Sequence, residues 1–279
     1  MTLMPRDRAK QLGRETVEIL KQGSYRTAGG RTVAIRDLVQ RAVDGTQSYP
    51  PDASLPNVHS EVKATRIEVE NETTLVVGRR LVDQGQRVVA LNFASAKHPG
   101  GGFLSGARAQ EESLARSSGL YACLVDQPMY DYHRALGDAM YTNYAIYSPD
   151  VPILRTDDGT LLDTPWLCSF ITSPAVNAKI ALQQDASRGS EIRDAMRERI
   201  RKVLAIAAVH GHDTLVLGAW GCGAFGNDGQ DIAALFHEAL TGSFNGMFEH
   251  VVFAITDWSS DRQFIGPFQR VFDSSRDAC

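Results

Sequence analysis

"RVVALNFASAKHPGGGFLSGARAQEES" (residues 87–113) starts as a strand and ends as a helix, with three consecutive glycines in between. The opening run, 87–93, is apolar and rich in valine, as a buried strand is. Gly100-Gly101-Gly102 allows positive φ and lets a ligand approach the amides closely. Each glycine costs roughly 0.5–1 kcal/mol relative to Ala inside regular structure, so three together mark a loop. Seven residues later, Gln110-Glu111-Glu112 opens a helix, where the dipole favours carboxylates. By itself this is equally a flexible surface loop leading into an acidic helix start.

The same rhythm extends in both directions. "TRIEVE" (65–70) alternates as a strand and "TTLVVGRRLVDQ" (73–84) has helical periodicity. The acidic helix is expected over about 111–125, followed by a less regular middle. Then come a strand at 166–172, a long helix at 190–211, a buried strand at 214–220, a helix at 230–242, a strand at 250–256 and a C-terminal helix. Strands alternating with helices predict a three-layer α/β/α domain with a mixed or mostly parallel sheet. Ahead of it, 5–22 reads as an amphipathic helix, 24–35 as a hairpin turning at Gly29-Gly30, and 36–44 as a short helix. A connector with three prolines covers 44–60. Two regions are therefore expected: an N-terminal helical extension, 1–60, and an α/β domain, 61–279.

Composition narrows the function. The 279 residues are 43% hydrophobic and 22% charged, ordinary for a soluble chain. A net charge of −4 argues against capture of a polyanion by bulk electrostatics, so direct DNA binding is not expected. The 1–60 segment, with nine Lys/Arg against six Asp/Glu, is only mildly basic. Cys123, Cys168, Cys222 and Cys279 are widely spaced, which suits a reducing cytoplasm better than a zinc site or a disulfide framework. The seven histidines do not cluster, so neither metal nor cofactor is expected, and His98 beside the glycine loop reads as structural. The apolar run at 203–209 is too short to span a bilayer. A monomer is expected.

A second glycine-rich stretch, "GAWGCGAFGND" (218–228), follows the strand at 214–220. Ligands of open α/β sheets bind beyond the carboxyl ends of the strands. Two glycine loops there could offer successive N–H donors to a diphosphate. Gly221-Cys222-Gly223-Ala224-Phe225-Gly226 also fits the dinucleotide pattern GxGxxG. A Rossmann reading needs an acidic residue about 20 positions on and a second half-sheet. Here Asp257 lies 31 residues past Gly226 and only 22 remain after it, which disfavours a dehydrogenase. Glu111 and Glu112 could both border a ligand held over the first loop, and crowding would push one of them towards protonation. Such a carboxyl suits protonation of a leaving oxygen in glycosidic cleavage.

"NFASAKHPGGGFLSGARAQEESLARSSGLY" (92–121) resembles the signature of bacterial-type poly(ADP-ribose) glycohydrolases, a GGG, six to eight residues, then QEE. "LGAWGCGAFGND" (217–228) is similar to that family's phosphate-binding loop, and 65–75 and 251–258 to its first and last strands. The resemblance implies a macrodomain with ADP-ribose in a cleft and hydrolysis of poly(ADP-ribose), mostly from chain ends. ADP-ribosylated proteins are then the substrates. It implies Glu112 as catalytic acid, with Glu111 and Asn92 on the terminal ribose. Gly100, Gly101, Gly102, Gln110 and the backbone of Gly221, Cys222, Gly223, Ala224, Gly226 and Asn227 would surround the substrate. Phe225 would pack on its sugar or base side, and Asp257 would lie near adenine. Three positions depart from the usual pattern: Ala115 for a cysteine, Gly229 for a proline and Thr256 for an aromatic, the last bearing on adenine. Two alternatives share the cleft: a non-catalytic ADP-ribose-binding module and a mono-ADP-ribosyl hydrolase.

Overall fold

The structure, a computed structural model, describes residues 4–56 and 64–273. The expected boundary at residues 60 and 61 lies outside the described residues. Among the described residues, seven strands form one sheet in the order β3-β6-β7-β5-β8-β9-β4. These are β3 (Gln47–Tyr49), β4 (Arg66–Glu70), β5 (Val88–Phe93), β6 (Ala145–Arg155), β7 (Leu161–Ser173), β8 (Thr214–Leu217) and β9 (His250–Ala254). The run β7-β5-β8-β9-β4 is parallel, while β6 pairs antiparallel with both β7 and β3. A small hairpin, β1 (Ser24–Arg26) and β2 (Thr32–Ala34), stands apart from the sheet, as the Gly29-Gly30 turn predicted.

Both faces of the sheet are covered, which is why its central strands are apolar without alternation. Val89, Leu91, Leu215, Leu217, Val251 and Phe253 face one core. It is closed by α8 (Gly189–Val209), α9 (Gly229–Thr241) and α10 (Ile265–Asp273), with α7 (Ala178–Gln184) at its edge. Val88, Ala90, Val216, Val252 and Ala254 face the second core. There the cover is α3 (Thr74–Asp83), α4 (Gln110–Ser117), α5 (Leu120–Leu124) and α6 (Pro128–Leu136). The N-terminal α1 (Arg6–Gln22) and α2 (Arg36–Asp44) add a third, smaller cluster around Ile19, Tyr25, Ile35 and Leu154.

Several elements differ from the sequence reading. The helix expected over 111–125 is two helices. Ser118 is extended and bridges Ile153 of β6, while the Gly119 N–H donates to Pro152 O at 2.9 Å. The strand expected to reach residue 220 stops at Leu217, since Gly218 is wedged between Ala254 O and the Phe93 ring. The irregular middle contains α6, β6 and the start of β7, which begins at Leu161, ahead of the expected strand at 166–172; the alternation of β6 is broken by a bulge between Ser148 and Val151. Within the expected connector, β3 pairs with β6, so residues 47–49 form an edge strand of the main sheet.

Candidate active site

Every candidate site segment leaves the carboxyl edge of the sheet. The first loop follows β5, the second follows its parallel neighbour β8, and Asp257 follows β9. Gln110, the first residue of α4, ties that helix to the edge. Its Oε1 accepts from Phe93 N at 2.9 Å, and its Nε2 donates to Leu91 O at 2.8 Å and Thr74 Oγ1 at 3.1 Å. The carboxamide is thus fully engaged by the scaffold, and its place is to fix where the two following glutamates stand.

Glu111 is buried beneath the loop. Its Oε2 accepts from Ser95 N at 2.7 Å and its Oε1 from Asn92 Nδ2 at 3.5 Å. Burial drives its pKa well above the usual carboxylate range and the Glu112 charge adds to this, against hydrogen bonds from Ser95, Asn92 and Gly100. Asn92 is fully buried behind it and also donates to Thr172 Oγ1 at 3.2 Å. Glu112 is half-buried, and one of its oxygens, Oε1, accepts from Gly102 N at 2.9 Å. Its other oxygen, Oε2, is buried with no hydrogen-bond partner among the described residues. An orphaned buried acceptor is uncommon and costs about 1–3 kcal/mol.

The glycine loop exists to admit these carboxylates. Gly101 has φ +57°, and a Cβ there would overlap Glu112 Oε1 and lie 2.8 Å from Glu111 Oε2. Although successive helical residues point about 100° apart, both side chains converge on this one glycine. Gly101 N donates to His98 O at 2.9 Å and Gly102 N to Glu112, so these amides already serve the loop and the acid.

In the second loop, the N–H groups of Gly223, Ala224 and Phe225 have no acceptor among the described residues, and Gly223, Ala224 and Gly226 are exposed. Three successive amides without an internal acceptor are the pattern that an anion-binding concavity needs. Asn227 holds its shape, donating from Nδ2 to Val176 O at 2.8 Å and Gly221 O at 3.1 Å. Gly221, at φ +78°, has no room for a side chain between Ala175 and Asn227. Cys222 is buried, its thiol pushed up to about 12 by burial, so it is an inert packing residue.

Phe225 is half-buried against the core, its ring 6.2 Å from that of Tyr141. Tyr141 has φ +51°, unusual for a non-glycine residue, and Lys97 Nζ sits 6.0 Å from its ring centroid. Lys97, Tyr141 and Phe225 thus join the two loops. The sequence reading missed Lys97 and Tyr141: a lone lysine and a tyrosine in an irregular stretch carry no spacing signal.

Asp257 is engaged by the protein itself. Oδ1 accepts from Ser259 N and Oγ, at 2.9 and 2.5 Å, and Oδ2 from Phe264 N and Ile265 N, at 2.7 and 3.0 Å. Burial acts to raise its pKa, but these hydrogen bonds prevail and hold it at about 2. Asp257 anchors the turn into α10, and Asn71 clasps its backbone from β4's end at 2.7 and 2.9 Å. Beside it lies a cavity of about 300 Å³ lined by Trp258, Ser259 and Arg262 among others, with Trp258 exposed. Among the described residues no group of three His, Cys, Asp or Glu could hold a metal ion.

A mixed sheet between helical layers, with two loops converging on its carboxyl edge, defines a macrodomain-like protein. The family described as microbial-type PARG, catalytic domain, matches residues 13–156. The chain belongs to that family, the microbial-type poly(ADP-ribose) glycohydrolases (PARGs). It is similar to the PARG of Thermomonospora curvata, with a TM-score of 0.90 and 48% identity over 95% of this chain and 100% of that one. The same enzyme bound to the inhibitor ADP-HPD gives 0.89 at 48% identity, with the same coverage. The PARG of Deinococcus radiodurans in complex with ADP-ribose gives 0.81 at 42% identity, over 87% of this chain and 99% of that one. A search of curated proteins returned no match.

Proposed function

We propose that this chain hydrolyses the ribose–ribose O-glycosidic bond of poly(ADP-ribose), chiefly at chain ends, and releases ADP-ribose. The observation that carries this reading is Glu112: one oxygen fixed by the Gly102 amide, the other unpartnered. Glu112 gives its proton to the departing 2′-oxygen as the bond to the anomeric carbon breaks and positive charge grows on that carbon. The ionised carboxylate then takes a proton from water as its oxygen bonds to the same carbon. One carboxyl thus acts as acid and then base, unlike the usual pair. Glu111, held towards its neutral form, hydrogen-bonds the terminal ribose together with Asn92 at its back. The free amides of 223–225 receive the diphosphate, with Phe225 and Tyr141 beside it.

Glu111 supports a second assignment of the acid, because it is the carboxyl whose pKa is raised. Both its oxygens are engaged by Ser95 and Asn92, however, so Glu112 is the better placed. ADP-ribosylated proteins are the natural carriers of the polymer. Among the described residues Cys123, Cys168 and Cys222 are buried free thiols, which suits a reducing cytoplasm. No helix among the described residues is long and apolar enough to cross a membrane. Incubation with purified polymer, products resolved by size, tests the reading. Free ADP-ribose should dominate from the first time points; oligomers preceding it would overturn chain-end action, and intact polymer would overturn hydrolysis.

A further inference from the structure

The face of α1 that meets the catalytic loop is built for close approach. Gly13 lies mid-helix, where glycine is a poor choice on propensity. A Cβ at this position would come 2.8 Å from Phe103 O and 3.3 Å from Phe103 C, both backbone atoms that cannot swing aside. Phe103 directly follows Gly102, the residue whose amide holds Glu112. One turn further along α1, the fully buried Thr16 donates from Oγ1 to Arg116 O at 2.5 Å.

Arg116 carries that contact onward. Its side chain, buried within the domain, donates to Ala107 O at 2.6 Å and to Ser113 Oγ at 3.1 Å. Ala107 N in turn donates to Gly102 O at 3.1 Å. The near end of the helix adds two ties to the same loop, Arg6 Nε to Ser105 O at 3.3 Å and Arg108 Nη1 to Met4 O at 2.8 Å. On the far side, Arg155 of the β6–β7 hairpin pairs with Glu15 at 3.2 Å, which holds α1 to the sheet.

We propose that α1 is the brace of the catalytic loop, and that Gly13 and Thr16 are positioning residues for the reaction at Glu112. They act through Phe103 and Arg116 on the Gly102 peptide, whose N–H faces Glu112 and whose carbonyl is held by Ala107. Neither residue reaches substrate, and the free amides of 223–225 stand on a different loop. Disturbing the brace should therefore lower kcat far more than it alters KM or ADP-ribose binding. This inference rests on the hydrolysis proposed above, and wild-type turnover of polymer tests that part first.

The variants are Gly13→Ala, Thr16→Val and Thr16→Ser, measured in the full chain for kcat, KM, ADP-ribose affinity and unfolding midpoint. Alanine is the better helix former, so a loss in Gly13→Ala cannot come from a weakened α1. We expect Gly13→Ala to lose at least tenfold in kcat with KM and affinity within threefold. Thr16→Val should lose kcat in the same way, and Thr16→Ser, which keeps the hydroxyl, should stay within twofold of wild type. Should Gly13→Ala not fold, the Thr16 pair alone decides. Wild-type kcat in folded Gly13→Ala, or equal kcat for Thr16→Val and Thr16→Ser, overturns the proposal. A kcat loss matched only by a lower folded fraction also overturns it. Inactive wild type would instead remove the hydrolysis reading, and this inference with it.

Discussion

Gly101→Ala separates the cost of a fold from the cost of a reaction. The backbone at 101 stands at φ +57°, where an L side chain costs roughly 1–2 kcal/mol. The added methyl would also overlap Glu112 Oε1, and that oxygen has to retreat by about 1 Å to reach van der Waals separation. Both atoms it crowds, Glu112 Oε1 and Glu111 Oε2, end flexible side chains, so the clash itself adds little to the stability cost. For a domain of this size, 1–2 kcal/mol lowers the unfolding midpoint by about 2–8 °C. Catalysis has no such tolerance, since a misplacement of about 1 Å can cost on the order of 100-fold. The variant should therefore melt a few degrees early, bind ADP-ribose through the second loop, and turn over polymer at least 100-fold more slowly. Calorimetry and a polymer-digestion assay on the same sample measure both. Near-wild-type turnover in Gly101→Ala would refute the claim that this glycine is bare for the sake of the carboxylates.

Phe225→Ala should weaken ADP-ribose binding by roughly 1–3 kcal/mol, by analogy with base stacking, with little change in unfolding midpoint; titration calorimetry checks this, and a collapsed midpoint with unchanged affinity would make Phe225 a core residue only. Asp257→Asn should destabilise the chain by about 1–3 kcal/mol, because the amide nitrogen that replaces one oxygen cannot accept from Ser259, Phe264 or Ile265. The sign of its pH dependence follows from a depressed pKa. The stabilisation by Asp257 is present above the ordinary aspartate range and is lost as pH falls through about 2. Denaturant midpoints of wild type and Asp257→Asn should thus differ by a constant amount above about pH 4 and converge below it.

The central strands β5, β8 and β9 were legible because they are buried on both faces, and β4 because its residues alternate. β6 and the first residues of β7, ahead of the expected strand at 166–172, were not, since Pro149, Pro152 and Pro165 and the bulge at Asp150 (φ +46°) break the alternation that marks a strand. Nor was β3, three residues long and held by pairing with β6 rather than by pattern. At the site, the sequence singled out both carboxylates and both loops, but which amides the protein itself engages depends on which way each N–H points. That orientation is set by contacts such as Glu112 on Gly102 and Asn227 on Gly221, which join residues distant in pattern. Asp257 stood out as an acidic residue at a strand end, while its four internal hydrogen bonds depend on how the chain folds back from 259 to 265. The support by α1 was invisible for the same reason: Gly13 reads as a blemish in a helix until Phe103 is placed against it.

Glu112→Gln is the most direct test of the account. Glutamine keeps an oxygen to accept from Gly102 N, so the loop retains its anchor, and only the transferable proton is lost. Loss of a general acid costs about 10²–10⁴-fold. Single-turnover cleavage of purified polymer by Glu112→Gln should accordingly fall at least 100-fold below wild type, with ADP-ribose affinity within threefold. A folded Glu112→Gln that keeps more than a tenth of wild-type cleavage would contradict the assignment of Glu112 as the acid.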